Sequence, residues 1–516
     1  MQELLQTKNP ARDTGMVRLL SGMAAIIIGI AAGILVAFSS SPLVPIGIAV
    51  ALVAVFATIK RIELGLLALI FMTWTRLSDI AIKYHNVPSI TQWFFVFLLA
   101  LILIRWLIQD ERPQGWLRAL VLIGGYGMVG MASLFFATDY ALGQEWLVIF
   151  VKDGAIALIV ALLITRAETL RHVIWALLAA GIFIGTLSVL QYLTGTFTNN
   201  YGGFAQAAVQ NIVGQTNDYR IAGPVGDPNY YAEIMLVLVP LALDRALAES
   251  SRTLRFLAVW ALVVCTLSVI FTFSRGGFLA LAVIIVLRLV LRPPNLRTLF
   301  TIGALCVALW MLLPANYTSR LVSVADLVPA PDQNARSFED SLRGRYSAVL
   351  VGLRMFQDHP VLGVGKMNYA VNYQYYSQAL GIDSKSWQQA AHNLYLEVLS
   401  ETGLVGIVFF GALLLFMFRD MRRARAMLIE AQMPQYAEMI FALTLGITGY
   451  LVASIFLHAA YPRYFWVLVG IALATPELAQ HELARYREKN ARAAALAENA
   501  RAAQLNPVTE GSGAHE

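Results

Sequence analysis

Apolar residues run in blocks of spanning length along most of the chain, near 18–38, 42–59, 63–81, 91–108, 116–136, 145–164, 172–193, 229–246, 255–273, 276–292, 298–313, 391–418, 436–457 and 462–474. A helix needs about 20 predominantly apolar residues to cross a bilayer. The pattern therefore predicts an all-α polytopic membrane protein of about 12–14 transmembrane helices. Met1 to Arg18 is polar and carries Lys8, Arg12 and Arg18, like the leading part of a signal peptide. Leu19 to Phe38 is too long for a signal-peptide core and no small-residue cleavage site follows, so it reads as a retained first span.

Two stretches interrupt the apolar blocks. The first, 194–228, is rich in Gly, Asn, Thr and Gln and poor in charge. The second, 314–390, is the only sizeable soluble part. Within it Arg343 to His359 reads as an amphipathic helix with Tyr346, Val349, Leu350, Leu353 and Phe356 on its apolar face, ended by Pro360. Such a helix lies on the membrane surface or caps the bundle. A tyrosine-rich stretch of helical character follows, with Tyr369, Tyr373, Tyr375 and Tyr376. Thr475-Pro476-Glu477 reads as a helix start, leading into an Ala-rich, charge-mixed helix that frays after Leu505.

Composition agrees with this plan. Of 516 residues, 58% are hydrophobic and 14% charged, against roughly 25% charged in a soluble domain. That excludes a soluble globular enzyme. The two cysteines, Cys265 and Cys306, sit in apolar runs and offer neither a disulfide framework nor a zinc site. The net charge of +6 records topology rather than nucleic-acid binding. With the N-terminus inside, most of the 38 Lys and Arg fall at cytoplasmic ends, among them Lys60-Arg61, Arg166/Arg171, Arg245/Arg252/Arg255, Arg288/Arg292/Arg297 and Arg419/Arg422/Arg423/Arg425. The expected organisation is a cytoplasmic segment over 1–17, spans over 18–313 with an outer loop at 194–228, and a long extracytoplasmic loop over 314–390. Spans over 391–474 and a cytoplasmic, partly disordered helical tail over 475–516 complete it.

Three clusters escape the topological explanation. Phe273-Ser274-Arg275-Gly276-Gly277 joins two apolar runs with almost no loop, and the glycines supply the freedom to turn. Arg275 either snorkels to headgroup phosphates or presents a fixed guanidinium to a lipid-linked phosphate or diphosphate. Asp227-Pro228 before an apolar run reads as an N-cap and a proline at N1. Arg220, seven residues earlier, has fewer structural excuses, in a loop whose composition suits carbohydrate as well as an ordinary polar loop. In Ala391-His392-Asn393-Leu394-Tyr395-Leu396-Glu397, His392 is placed in the first turn of a span, where the dipole favours neutral imidazole and a general-base role toward a sugar hydroxyl. A capping or packing histidine is the alternative. Glu397 and Glu401 are expensive in an apolar helix without partners. Arg76 and Asp79 stand at i, i+3 and can pair, whereas Lys152 and Asp153 each need a partner on another helix.

Together these residues resemble the O-antigen ligase and polymerase family of bacterial membrane glycosyltransferases. The resemblance is carried by Asp358-His359-Pro360-Val361-Leu362-Gly363-Val364-Gly365, by His392-Asn393-Leu394-Tyr395-Leu396-Glu397 and by Glu401-Thr402-Gly403-Leu404-Val405-Gly406, with Ser274-Arg275-Gly276 and Asp227-Pro228-Asn229 in support. It implies a glycosyltransferase C-type fold in the bacterial cytoplasmic membrane, with N- and C-termini in the cytoplasm and the active site facing outward. The implied reaction moves a glycan from undecaprenyl diphosphate to a hydroxyl of another glycan, a lipid A core or a further acceptor, without metal or cofactor. His392 is then the base, Arg220 and Arg275 bind the diphosphate, and Asp227, Asn229, Arg343, Arg345, Asn393, Glu397 and Glu401 support them. A polymerase that extends a carrier-linked acceptor shares this chemistry. A lipid-linked sugar flippase is the rival of another class, but it should hold its charges near the bilayer midplane. The implied partners are thus the lipid-linked donor, the acceptor and membrane lipids, with no nucleic acid.

Overall fold

The computed structural model describes residues 43–109, 115–211, 217–293, 333–382, 389–457 and 462–505. The expected spans at 18–38 and 298–313, the start of the long loop, His458 and the side chain of Arg343 lie outside the described residues. The chain is almost entirely helical. In order it forms α1 (Leu43–Lys60), α2 (Ile62–Trp74), α3 (Leu77–His85), α4 (Ile90–Gln109), α5 (Trp116–Ser133), α6 (Tyr140–Leu163) and α7 (Ala167–Thr194). A two-stranded hairpin, β1 (Gln206–Asn211) and β2 (Asn217–Gly223), precedes α8 (Pro228–Ala248), α9 (Arg252–Phe271) and α10 (Arg275–Leu291). Then come α11 (Gln333–Asp358), α12 (Tyr369–Ala379), α13 (Leu394–Glu430), α14 (Pro434–Ala453) and α15 (Pro462–Leu505).

Seven of the described helices, α4 to α7, α9, α13 and α14, are long and apolar enough to cross a membrane. Each falls on a block read from the sequence. The block at 63–81 is bent by 56° between α2 and α3, and counting this broken pair gives up to eight spans among the described residues. At that break Arg76 pairs with Asp79 at 2.9 Å, and Arg463 joins Asp79 at 3.0 Å and Asp153 at 3.5 Å. Asp153 thus finds its partner on another helix.

The bundle is built around α8, which is buried on nearly every side from Tyr230 to Ala242. An all-round apolar helix is stable only inside other helices, and α7, α9, α10 and α14 surround this one. Small residues set the approach: a Cβ at Gly446 would meet the Val237 carbonyl oxygen at 2.7 Å, and one at Gly470 would meet that of Ala157 at 2.5 Å. Trp93, Leu107, Leu193 and Val290 stay exposed, as lipid-facing side chains do.

Two expectations change, and the outer loop gains an element. The helix after Thr475 does not start there, because α15 runs unbroken through Pro476. Proline leaves the Ala472 carbonyl without its usual N–H donor, and the Thr475 hydroxyl donates to that oxygen at 2.7 Å instead. In α11 the buried face is Ser347, Ala348, Val351 and Met355, while Tyr346, Val349 and Leu353 are exposed. The helix packs by its small side, since a Cβ on Gly352 would come within 2.8 Å of Leu396. The loop at 194–228 contains the antiparallel hairpin rather than irregular chain alone.

The decisive local feature is a break in α13. Gly403 has φ 64° and ψ −160°, far from helical, in a region of backbone space that is essentially glycine's alone. The backbone groups freed there are taken up by the segment that follows α11. Val364 N–H donates to Ser400 O at 2.9 Å and Gly365 N–H to Glu401 O at 3.0 Å; Leu404 N–H donates to Pro360 O at 2.8 Å and Val405 N–H to Val361 O at 3.2 Å. Buried backbone groups need such partners. The break and the loop therefore stand or fall together.

Gly403→Ala should lower the stability of the detergent-solubilised protein by about 1–3 kcal/mol from backbone strain, and by more because its Cβ overlaps Val361. Gly411→Ala, in the same helix with nothing within 4 Å of the added Cβ, should melt at or above the parent temperature. Equal melting of the two variants would refute the break as a required feature.

Candidate active site

One end of the bundle gathers the α9–α10 turn, the hairpin, the N-terminus of α8, α11, the turn after α14 and the segment entering α13. The turn is set by Phe273, whose φ is +52°. Gly276 and Gly277 were expected to turn the chain, but both are helical residues of α10. Their lack of a side chain serves packing instead: a Cβ would meet Phe456 at 3.0 Å from Gly276 and Ala232 at 2.7 Å from Gly277. Ser274 caps α10 by accepting the Gly277 N–H at 3.3 Å. Arg275, the next residue, is exposed.

Arg220 is buried on β2. Its Nε donates to Thr272 O at 2.6 Å and its Nη2 to Asn229 Oδ1 at 3.0 Å. Thr272 is the C-cap of α9, so the guanidinium sits where the helix dipole favours a cation. Asp227 caps α8 through Oδ1, accepting Asn229 N–H at 2.8 Å and Tyr230 N–H at 3.1 Å, with Pro228 following it as expected. Arg220, Asn229 and Asp227 thus form one network that fixes the hairpin against the turn carrying Arg275.

Arg345, on α11, lies over the Phe456 ring with its guanidinium carbon 5.5 Å from the ring centre. Burial, and then repulsion from Arg275, holds its pKa below the ordinary arginine value. Gly276, next to Arg275, packs against the same ring, and an anion beside these two arginines would relieve their repulsion.

His392 does not belong to the first turn of α13. The helix starts at Leu394 because Asn393 is the N-cap, its Oδ1 accepting the Leu396 N–H at 2.9 Å. His392 precedes it, exposed, with φ +48°. This entry is pinned to the turn that bears Phe456: Leu394 N–H donates to Ser454 O at 2.9 Å, and the Ser454 hydroxyl donates to the Glu233 carboxylate at 2.6 Å. The chain entering α13 next to His392 and the Arg345 guanidinium thus both contact the 454–456 turn.

Below them, the Lys366 ammonium meets Glu401 Oε2 at 3.0 Å, with both side chains buried. The other oxygen, Oε1, accepts the Tyr369 N–H at 3.2 Å at the start of α12. Burial alone would depress the Lys366 pKa, but Tyr126 and Glu401 beside it reverse the sign and hold it above the usual lysine value. The loop is fastened further by Lys366 N–H to Ser133 Oγ at 3.2 Å and by Asn368, which accepts the Asp139 N–H at 2.6 Å. Glu397 faces the same interior as Glu401 and Lys366.

Glu233 and Lys366 escaped the sequence reading. Each carried a signal, since Glu233 is a carboxylate inside the apolar run 229–246 and such residues are costly without a partner. Lys366 directly follows the Gly363-Val364-Gly365 motif. At the opposite end, Arg171 and Arg245 pair with Glu249, Arg292 and Arg425 with Glu438, and Arg118 with Asp420. Among the described residues no group of three or more His, Cys, Asp or Glu is arranged to hold a metal ion.

Lys366→Ala should cost about 3–5 kcal/mol by leaving Glu401 buried without its cation. Lys366→Met combined with Glu401→Gln keeps the acceptor for Tyr369 N–H and should recover most of that loss. Thermal or denaturant melting of the parent and both variants in detergent measures it, and an unchanged Lys366→Ala would contradict the role given to the pair.

No curated protein matches the chain. Residues 260–411 match the model of a protein family described as O-Antigen ligase. The matched stretch holds Arg275, Arg345, His392 and both halves of the paired backbone at 360–365 and 400–405. That stretch, 152 of the 516 residues, is similar to the O-antigen ligase family.

Proposed function

We propose that the protein is a membrane glycosyltransferase of O-antigen ligase type, which transfers a glycan from undecaprenyl diphosphate to an acceptor hydroxyl at the outer face of the bacterial cytoplasmic membrane. One observation carries this reading: Arg345 lies over Phe456, the ring against which Gly276 beside Arg275 packs, and Phe456 stands two residues beyond Ser454, whose carbonyl anchors the entry of the helix next to His392. A pair of cations and an imidazole near one turn suit a diphosphate leaving group and an attacking hydroxyl.

In the proposed reaction the acceptor oxygen bonds to the anomeric carbon while the bond from that carbon to the diphosphate oxygen breaks. The electron pair leaves on undecaprenyl diphosphate, and the hydroxyl proton passes to His392. Direct displacement inverts the anomeric centre. Negative charge grows on the leaving diphosphate, where preorganised guanidiniums stabilise the transition state more than the ground state. General-base assistance from His392 contributes about 10² to 10⁴ in rate. Arg220 serves the diphosphate by holding the Thr272 turn from which Arg275 projects, and Arg343 adds positive charge two residues before Arg345.

Purified protein given an undecaprenyl diphosphate glycan and a hydroxyl acceptor should release undecaprenyl diphosphate in the presence of a chelator. Arg275→Ala and His392→Ala should each lower that release by about 10² or more. Full activity in both variants would sink the assignment. A single addition to a foreign acceptor marks a ligase, whereas a ladder of additions on the carrier marks a polymerase.

A further inference from the structure

A cavity of about 380 Å³ opens immediately inside the His392 segment. Ala391 and Leu394, on either side of the His392-Asn393 pair, both line it. Its size falls among pockets that enclose small molecules, roughly 300–1,000 Å³, so it would take the end of a glycan and not its length.

The walls are aromatic and the polar groups few. Trp146 stacks on Phe150 with ring centres 5.0 Å apart, and Trp466 meets Phe150 edge-on at 5.2 Å. Glu233, Glu397 and Glu401 line the same space. A sugar ring has an apolar C–H face and an equatorial rim of hydroxyls, and this lining offers a surface to each. Charge then separates the two substrates. Lys366 supplies the only ammonium or guanidinium among the described lining residues, and it is held by Glu401. Nothing in the lining favours a phosphate, and Arg275 and Arg345 are not among the described lining residues.

We propose that this cavity is the acceptor pocket, which receives the terminal, unphosphorylated sugar of the acceptor glycan and presents its hydroxyl to His392. The proposal rests on the transferase reading above. Donor and acceptor would be sorted by charge, the diphosphate to the arginine pair and the neutral ring to the aromatic cavity.

The test is intrinsic tryptophan fluorescence of the full-length protein in detergent, titrated with methyl glycosides of glucose, galactose and glucosamine and with the corresponding 6-phosphates. At least one unphosphorylated glycoside should quench saturably, and its 6-phosphate should need at least about tenfold more. Trp146→Phe and the isosteric Glu397→Gln, each checked for folding by melting, should weaken the quench at least about fivefold. Arg275→Ala should leave it unchanged. Absence of saturable quenching, equal response to the 6-phosphates, or parental binding in both cavity variants would overturn the pocket. Sugar binding that behaves as stated while the parent protein releases no undecaprenyl diphosphate would overturn the transferase reading alone. Loss of transfer in Arg275→Ala and His392→Ala with parental binding in the cavity variants would overturn the pocket alone.

Discussion

A helix broken inside a hydrophobic bundle must have its freed backbone groups satisfied by protein, and the rest of this structure depends on how that is done. Gly403 breaks the long helix Leu394–Glu430, and the turn segment Pro360–Gly365 lies along the break with four backbone hydrogen bonds. That pairing fixes the end of α11, and with it Arg345, against the helix that begins beside His392. The Lys366–Glu401 ion pair locks the register, and Glu401 also caps α12. A buried pair of this kind adds little net stability over an apolar substitute, but it penalises every arrangement that separates its members.

A second chain of contacts completes the frame from the other side. Glu233, on the central helix, accepts the Ser454 hydroxyl, and the Ser454 carbonyl accepts the Leu394 N–H. The most deeply buried helix thus sets the position of the most exposed candidate base. Arg220 does the same for Arg275 by gripping the Thr272 carbonyl. The arginine pair and the histidine are exposed, while Arg220 and Glu233, which position the turns beside them, are buried and hydrogen-bonded, as preorganised electrostatic sites require.

Much of this was legible in the sequence, because hydropathy and capping are local. Seven membrane helices follow the apolar blocks, and Asp227-Pro228 behaves as a cap followed by proline at N1. The departures come from interactions that sequence spacing does not contain. Asn393 captures the N-cap and leaves His392 outside the helix; Thr475 repairs the carbonyl that Pro476 orphans; and the turn falls at Phe273 because close packing claims both glycines. The motifs at 358–365 and 401–406 could each be recognised. That they are two halves of one hydrogen-bonded pairing is a contact across some forty residues of chain, and only the folded backbone displays it. Lys366 and Glu233 stood in plain view as charges without an evident partner.

Hydrogen exchange of the backbone amides at 361–367 and 400–406, followed by mass spectrometry on the detergent-solubilised protein, bears most directly on the claim that the paired break organises the site. Both segments should exchange slowly and together, with protection close to that of the central helix Pro228–Ala248. Rapid exchange of 361–367, like an exposed loop, beside a protected 400–406 would mean that the segment is not docked and that Arg345 and His392 are not held in one frame.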